Sequence, residues 1–114
     1  MGLKNNMVVK NDIPELSEKE FVKFISSGEM AVVDFFADWC MPCLMMAPVI
    51  EELAEDMKEV KFVKIDVDDN SELSEKYEIR SIPTLIFFKN GKMLDKIIGG
   101  MDEYDLKKKI DSLI

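Results

Sequence analysis

The sequence predicts an α/β fold, a central mixed β-sheet of four to five strands flanked by four helices in the order βαβαβαββα, and three observations carry that reading. Strand-like apolar runs alternate with helix-spaced apolar repeats, an order that gives parallel strands joined by right-handed crossovers. Asn90-Gly91, set between two strand-like runs, is a strong hairpin signal and adds an antiparallel pair at one side. The 114 residues contain no repeat, linker or low-complexity stretch, so residues 1–114 read as one domain with one core.

Taken in order, residues 1–12 mix amides and lysines around Met7-Val8-Val9, a short strand or a loose terminus. Ser17-Glu18-Lys19-Glu20 is a capping box, and Phe21, Phe24 and Ile25 follow at the spacing of one buried helix face that should stop near Gly28. Residues 30–37 form a nearly continuous apolar run, the mark of a central strand covered on both faces, with Asp34 as its exception. Met46, Ile50, Leu53 and Met57 then recur at helical spacing, with Pro48 inside and a kink expected there. Val60 to Val67 reads as a second central strand, closed by Asp68-Asp69-Asn70, which supplies an N-cap for a short helix over about residues 71–77. Leu85 to Phe88 and Met93 to Ile98 are the hairpin strands. Asp102 caps a last helix with Leu106, Ile110 and Leu113 on one stripe.

Composition narrows the function. The formal charge of −8 disfavours nucleic acid and anionic membrane surfaces, both of which reward a basic footprint. Lys107-Lys108-Lys109, the one basic run, falls late in a predicted helix, where cations complement the dipole. No apolar run approaches the roughly 18 residues that span a bilayer, and the first residues lack the apolar core of a signal peptide. A reducing cytoplasm is the expected compartment.

The chemistry centres on Trp39-Cys40-Met41-Pro42-Cys43, which holds both cysteines and the only tryptophan. The preceding strand hands over to a helix here, which places Cys40 at or near the N-cap and Cys43 in the first turn. There, unpaired backbone N–H groups and the helix dipole favour a thiolate. A zinc site needs four ligands, and the chain has no further cysteine and no histidine. Haem attachment needs histidine where Leu44 stands. A metal or iron–sulfur cluster bridging subunits, two buried free thiols and a dithiol–disulfide redox pair remain. A helix start flanked by Trp39 and Pro42, with the first sulfur at least partly exposed, favours the redox pair. Asp34, a carboxylate in a buried strand, should hold its proton near neutral pH unless a neighbouring donor satisfies it.

With Asp34 in a buried strand, Trp-Cys-x-Pro-Cys at a helix start, Ile82-Pro83-Thr84 and Gly99 after an Asn-Gly hairpin, the chain closely resembles the thioredoxin family from about Pro14 to its end. The resemblance implies the thioredoxin fold and a protein-disulfide reductase that works by thiol–disulfide exchange, with Cys40 and Cys43 as the redox disulfide. Cys40 would attack and Cys43 resolve. It also implies that Asp34 exchanges a proton with Cys43 and that Lys64 lies near that acid. Pro83 would be a cis proline facing the disulfide, presenting the Ile82 backbone to an extended substrate. Trp39, Met41, Pro42, Val67, Ile82, Pro83, Ile98 and Gly99 would line the groove. The implied partners are protein disulfide substrates and a thioredoxin-reductase-like electron donor. No bound cofactor and no metal are implied, and the chain is expected to act as a monomer.

Two residues depart from the family pattern. Met41 stands where glycine is usual and should narrow or grease the groove, and Leu44 stands where lysine is usual and removes one stabiliser of the thiolate. Pro42 supports a reductant over an oxidant, since strong oxidases of this fold often carry histidine there. The enzymatic alternative is a glutaredoxin-like, glutathione-dependent protein, in which tyrosine usually replaces Pro42. The non-enzymatic alternative is a binding module that uses the same groove without turnover.

Overall fold

The computed structural model describes residues 13–114; the expected strand at Met7-Val8-Val9 lies outside them. Eight elements follow in order: α1 (Glu18–Ile25), β1 (Ala31–Phe36), α2 (Met41–Asp56), β2 (Lys61–Asp66), α3 (Ser71–Lys76), β3 (Thr84–Lys89), β4 (Lys92–Ile98) and α4 (Glu103–Leu113). They build a mixed sheet of order β2-β1-β3-β4, with β1 and β2 parallel and the other neighbours antiparallel. The thioredoxin fold expected from sequence is the fold observed.

Local chemistry accounts for the boundaries. Ser17 and Glu20 form the capping box, the Ser17 N–H donating to Glu20 Oε1 at 2.9 Å and the Glu20 N–H to Ser17 Oγ at 3.4 Å. Helix α1 ends earlier than Gly28, at Ile25, because the hairpin turn reaches across and the Gly91 N–H takes the Ile25 carbonyl at 2.8 Å. Asn90 and Gly91 both have positive φ, 53° and 80°, as a two-residue hairpin matched to strand twist requires. Asp102 caps α4 by accepting from the Asp105 N–H at 2.8 Å. Asn70 stands at the N-cap of α3 but makes no side-chain cap; its amide donates instead to the Asp66 carbonyl at 3.0 Å. Helix α2 runs unbroken through Pro48.

The 60–67 segment, read from sequence as a central strand, is β2, which stands at one end of the four described strands. Among the described residues its outer side is met by residues 14–16, where the Leu16 N–H donates to the Lys64 carbonyl and the Lys64 N–H to the Pro14 carbonyl. Lys61 and Lys64, the two lysines that interrupt its apolar run, are partly exposed.

All six residues of β1 are buried, and the period-two alternation of a strand divides them between two cores. Ala31, Val33 and Phe35 face Phe21, Ile25 and Leu73 of α1 and α3. Val32 faces Met46, Ile50 and Leu53 of α2 and Leu106 and Ile110 of α4. Asp34 and Phe36 share the parity of Val32, so the carboxylate points toward the α2 layer. Leu53, fully buried in that layer, anchors α2 to the sheet. Leu53→Ala should lower unfolding stability by about 2–5 kcal/mol, read as a reduced urea midpoint at unchanged slope.

Candidate active site

The loop between β1 and α2 brings the cysteines together. Cys40 has extended dihedrals, φ −88° and ψ 107°, and is the N-cap of α2. Its Sγ accepts the Cys43 N–H at 3.2 Å, and its carbonyl accepts the Leu44 N–H at 3.1 Å. Pro42 sits in the first turn, where its missing N–H leaves no hydrogen bond unmade. Cys40 and Cys43 form a disulfide, with their Cα atoms 5.2 Å apart. The first turn of α2 carries no charged residue, so the helix dipole and the Cys43 N–H are the local features that favour negative charge on Cys40 Sγ.

The expected exposure of the first sulfur is not met: Cys40 and Cys43 are each 4% exposed. Both pack in a cluster with Phe36 and Ala37, against which Val67 and Ile82 lie. What stands in solvent is the rim. Trp39 is 70% exposed, Met41 65%, Ile98 65% and Leu44 53%, so the disulfide is a low point among raised apolar side chains. The Trp39 indole is held in that position by its Nε1–H, which donates to Asp68 Oδ2 at 2.8 Å.

Opposite the disulfide, Ile82-Pro83 is a cis peptide, as the family resemblance implied. The Ile82 carbonyl oxygen lies 3.8 Å from Cys40 Sγ, and the Pro83 carbonyl accepts the Gly99 N–H at 2.8 Å. Ile98 pairs with Thr84 in register, which brings the ends of β3 and β4 beside Pro83. Val67 is tied back through its N–H to the Phe36 carbonyl at 2.9 Å. The expected groove residues therefore fall around one disulfide.

Beneath α2, Asp34 is 6% exposed, and its Oδ1 has no hydrogen-bond partner among the described residues. Lys64 lies across the β1–β2 register from it, with Nζ 5.1 Å from the Phe36 ring centroid. Burial pushes the Asp34 carboxyl up to about 7, and the attraction of Lys64 offsets only part of that. Asp34 and Lys64 line a cavity of about 30 Å³ together with Ile13, Ala47, Ile50 and Glu51. Ala47, Ile50 and Glu51 follow Cys43 by four, seven and eight residues, so the helix face carrying Cys43 is the face that roofs the cavity.

Two residues beside the site are invisible to sequence reading: Asp68, in sequence a strand-closing residue, holds Trp39, and Glu51 lines the cavity beside Asp34. No short-range pattern links Trp39 to Asp68, 29 residues away. A separate acidic group, Glu15, Asp66 and Asp69, brings one oxygen each within 4.8 Å of one another. Asp66 Oδ1 already accepts the Asp68 N–H, and the cysteines take no part in it.

A disulfide closed between a helix N-cap and its first turn, above a buried acid that titrates near neutrality, defines a thiol–disulfide oxidoreductase. The family model for thioredoxin matches residues 12–112. A thioredoxin of Mycoplasmoides gallisepticum is 49% identical over 92 residues, 81% of this chain and 92% of that one. Among solved structures, Plasmodium falciparum thioredoxin superposes with a TM-score of 0.83 at 39% identity, covering 90% of this chain and all of that one. A mutant thioredoxin from Halobacterium salinarum gives 0.83 at 36% identity over 92% of this chain and 93% of that one. The chain belongs to the thioredoxin family and is a protein-disulfide reductase.

The shift of Asp34 makes a signed prediction about stability. Between the unfolded carboxyl value of 3.8 and the folded value of about 7, the folded state binds more protons, so stability falls as pH rises through this window and levels off above it. The loss attributable to Asp34 is on the order of 4 kcal/mol. Urea titrations from pH 4 to 8 should show it as the difference between the native chain and Asp34→Asn, the variant lacking that slope and being the more stable at pH 8.

Proposed function

We propose that residues 1–114 act as one cytoplasmic, monomeric domain that reduces protein disulfides through Cys40 as attacking thiolate and Cys43 as resolving thiol. The observation that carries the assignment is the Cys43 N–H donating to Cys40 Sγ at the N-cap of α2. That sulfur receives a directed hydrogen bond and the positive end of the dipole together. In the reduced protein, Cys40 Sγ⁻ attacks one sulfur of the substrate disulfide. The substrate S–S bond breaks, a Cys40–substrate mixed disulfide forms, and the departing thiolate takes a proton. Asp34 accepts the proton of Cys43, whose sulfur then attacks Cys40 Sγ. The Cys40–Cys43 bond closes and the second substrate thiolate leaves, so two electrons pass to the substrate.

The oxidised pair must be reduced again by a thioredoxin-reductase-like electron donor, which in turn requires a reducing compartment. Lys64 tunes Asp34 by charge rather than by touching sulfur. Trp39, Met41, Pro42, Val67, Ile82, Pro83, Ile98 and Gly99 form the substrate groove, in which the Ile82 backbone pairs with an extended substrate strand. Met41 gives that groove a flexible thioether wall, and Leu44 leaves thiolate stabilisation to the helix.

Reduction of insulin disulfides driven by dithiothreitol tests the assignment. Cys40→Ser should abolish it, and Cys43→Ser should accumulate a mixed disulfide through Cys40 visible by non-reducing electrophoresis; a mixed disulfide formed only by Cys40→Ser reverses the two roles. Asp34→Asn should slow turnover at pH 7 by at least about ten-fold, against the ~10²–10⁴ that general acid–base groups contribute. Its rate profile should also lose the inflection near pH 7, measured by stopped-flow from pH 5 to 9.

A further inference from the structure

The core methionine of α2 makes a contact that core packing does not require. Met46 is 4% exposed and lies three residues after Cys43 on the same helix. Its Sδ accepts the Met101 N–H at 3.4 Å. Gly100 also lies against this side chain, since a Cβ there would meet the same sulfur in ordinary van der Waals contact at 3.7 Å. These residues belong to the short connection from β4 to α4, and the residue that opens it, Gly99, donates its N–H to the Pro83 carbonyl at 2.8 Å. The connection is thus pinned at two points, once to the residue facing the disulfide and once to the helix that carries it.

We propose that Met46 is a positioning residue for substrate binding: its thioether holds the Gly99–Met101 connection, and with it the Ile98–Gly99 wall of the groove, at a set distance from the disulfide. The proposal rests on the reading that Ile98 and Gly99 line the substrate groove. Three properties suit the residue to the task. A part-buried backbone N–H needs an acceptor, and this sulfur is the one it meets. A leucine or isoleucine would fill the same volume and offer that N–H no acceptor. The unbranched methionine chain spans from the helix to the connection while remaining in the apolar layer with Ile50, Leu53 and Leu85. Met46 acts through the groove wall and not on the sulfurs, so its loss should weaken protein substrates and spare the exchange chemistry.

Met46→Leu conserves volume and should fold. With insulin as the protein disulfide and dithiothreitol as reductant, it should raise KM by roughly three- to ten-fold, the range for loss of one modest hydrogen bond, at unchanged kcat. Reaction with 5,5′-dithiobis(2-nitrobenzoate), too small to need the wall, should keep its native rate. Hydrogen exchange should show the Met101 amide losing protection while the β1 and β3 amides keep theirs. Ile98→Asp, measured beside it, tests the groove reading by itself. A raised KM in Ile98→Asp with an unchanged KM in Met46→Leu overturns the positioning role alone. An unchanged KM in Ile98→Asp overturns the groove reading and the positioning role with it. Equal slowing of insulin and the small disulfide in Met46→Leu also overturns the proposal, because the residue would then be acting on the sulfurs.

Discussion

Burial of the Asp34 carboxylate is the constraint to which the rest of the site answers. Strand β1 lies inside the sheet with helices over both faces, and all six of its residues are buried, so the Asp34 side chain is held away from bulk water. A charge placed there loses its hydration, and Oδ1 recovers no hydrogen bond for it among the described residues. Lys64, on the neighbouring strand at the same register, recovers part by attraction, yet desolvation remains the larger effect. The carboxyl therefore changes charge close to neutral pH, where an acid can both give and take a proton without a large driving force in either direction. An apolar residue would make a more stable strand. The fold retains a group that weakens it at neutral pH, which is the pattern expected of a functional residue rather than a structural one.

Across the β1–α2 interface the electrostatics run the other way. At Cys40 the free N–H groups of a helix start and the directed hydrogen bond from Cys43 favour a negative sulfur, whereas at Asp34 the lack of such a donor to Oδ1 among the described residues favours a neutral acid. Both environments belong to the same helix: its N-terminus holds Cys40, and the face that carries Cys43 continues through Ala47, Ile50 and Glu51 over the cavity beside Asp34. Packing of α2 against the sheet, centred on Ile50 and Leu53, is therefore what fixes the acid relative to the sulfurs. Pro48 within α2 removes one helical hydrogen bond, and the helix persists because tertiary burial, not propensity, sustains it.

Features governed by neighbours in sequence are legible without the structure. The capping box at Ser17 and Glu20, the Asn90-Gly91 turn, the Asp102 cap and the helix start at Cys40 each depend on residues within three or four positions, and each is observed. So is the division of elements from α1 to α4, because apolar periodicity records which faces are buried. Long-range geometry leaves no such trace. The alternation of β2 does not say which segments lie beside it; among the described residues those are β1 on one side and residues 14–16 on the other. The exposure of Cys40 depends on how Val67 and Ile82 close over it, and both arrive from other elements. The bond from Trp39 to Asp68 and the bond from Met101 to Met46 join residues 29 and 55 positions apart. The placement of Asp34 beside Lys64 lies between these extremes, since the strands themselves are readable but their register is not.

The rim around the disulfide follows from the same economy of contacts. An indole 70% exposed, flanked by Met41, Leu44 and Ile98, leaves apolar surface in water that a folded chain ordinarily covers. Asp68 does not cover the indole; it fixes the orientation, so the ring is already ordered when a partner arrives and little further entropy is lost on contact. At roughly 25 cal/mol per Å² of apolar area removed from water, a partner strand lying over this rim gains affinity from shape and burial while the buried sulfurs beneath contribute none. On the proposed reading, affinity and reactivity are separated in space: the exposed rim would meet the partner, and the ring beneath would exchange electrons with the disulfide that the rim brings to it. A net charge of −8 adds repulsion toward acidic partners but cannot select among the others, because exposed charges are screened beyond about 10 Å in ordinary salt. Selection then falls to local geometry, and on the positioning role proposed for Met46 a single core thioether would matter more to which disulfides are reduced than the charges spread over the rest of the surface.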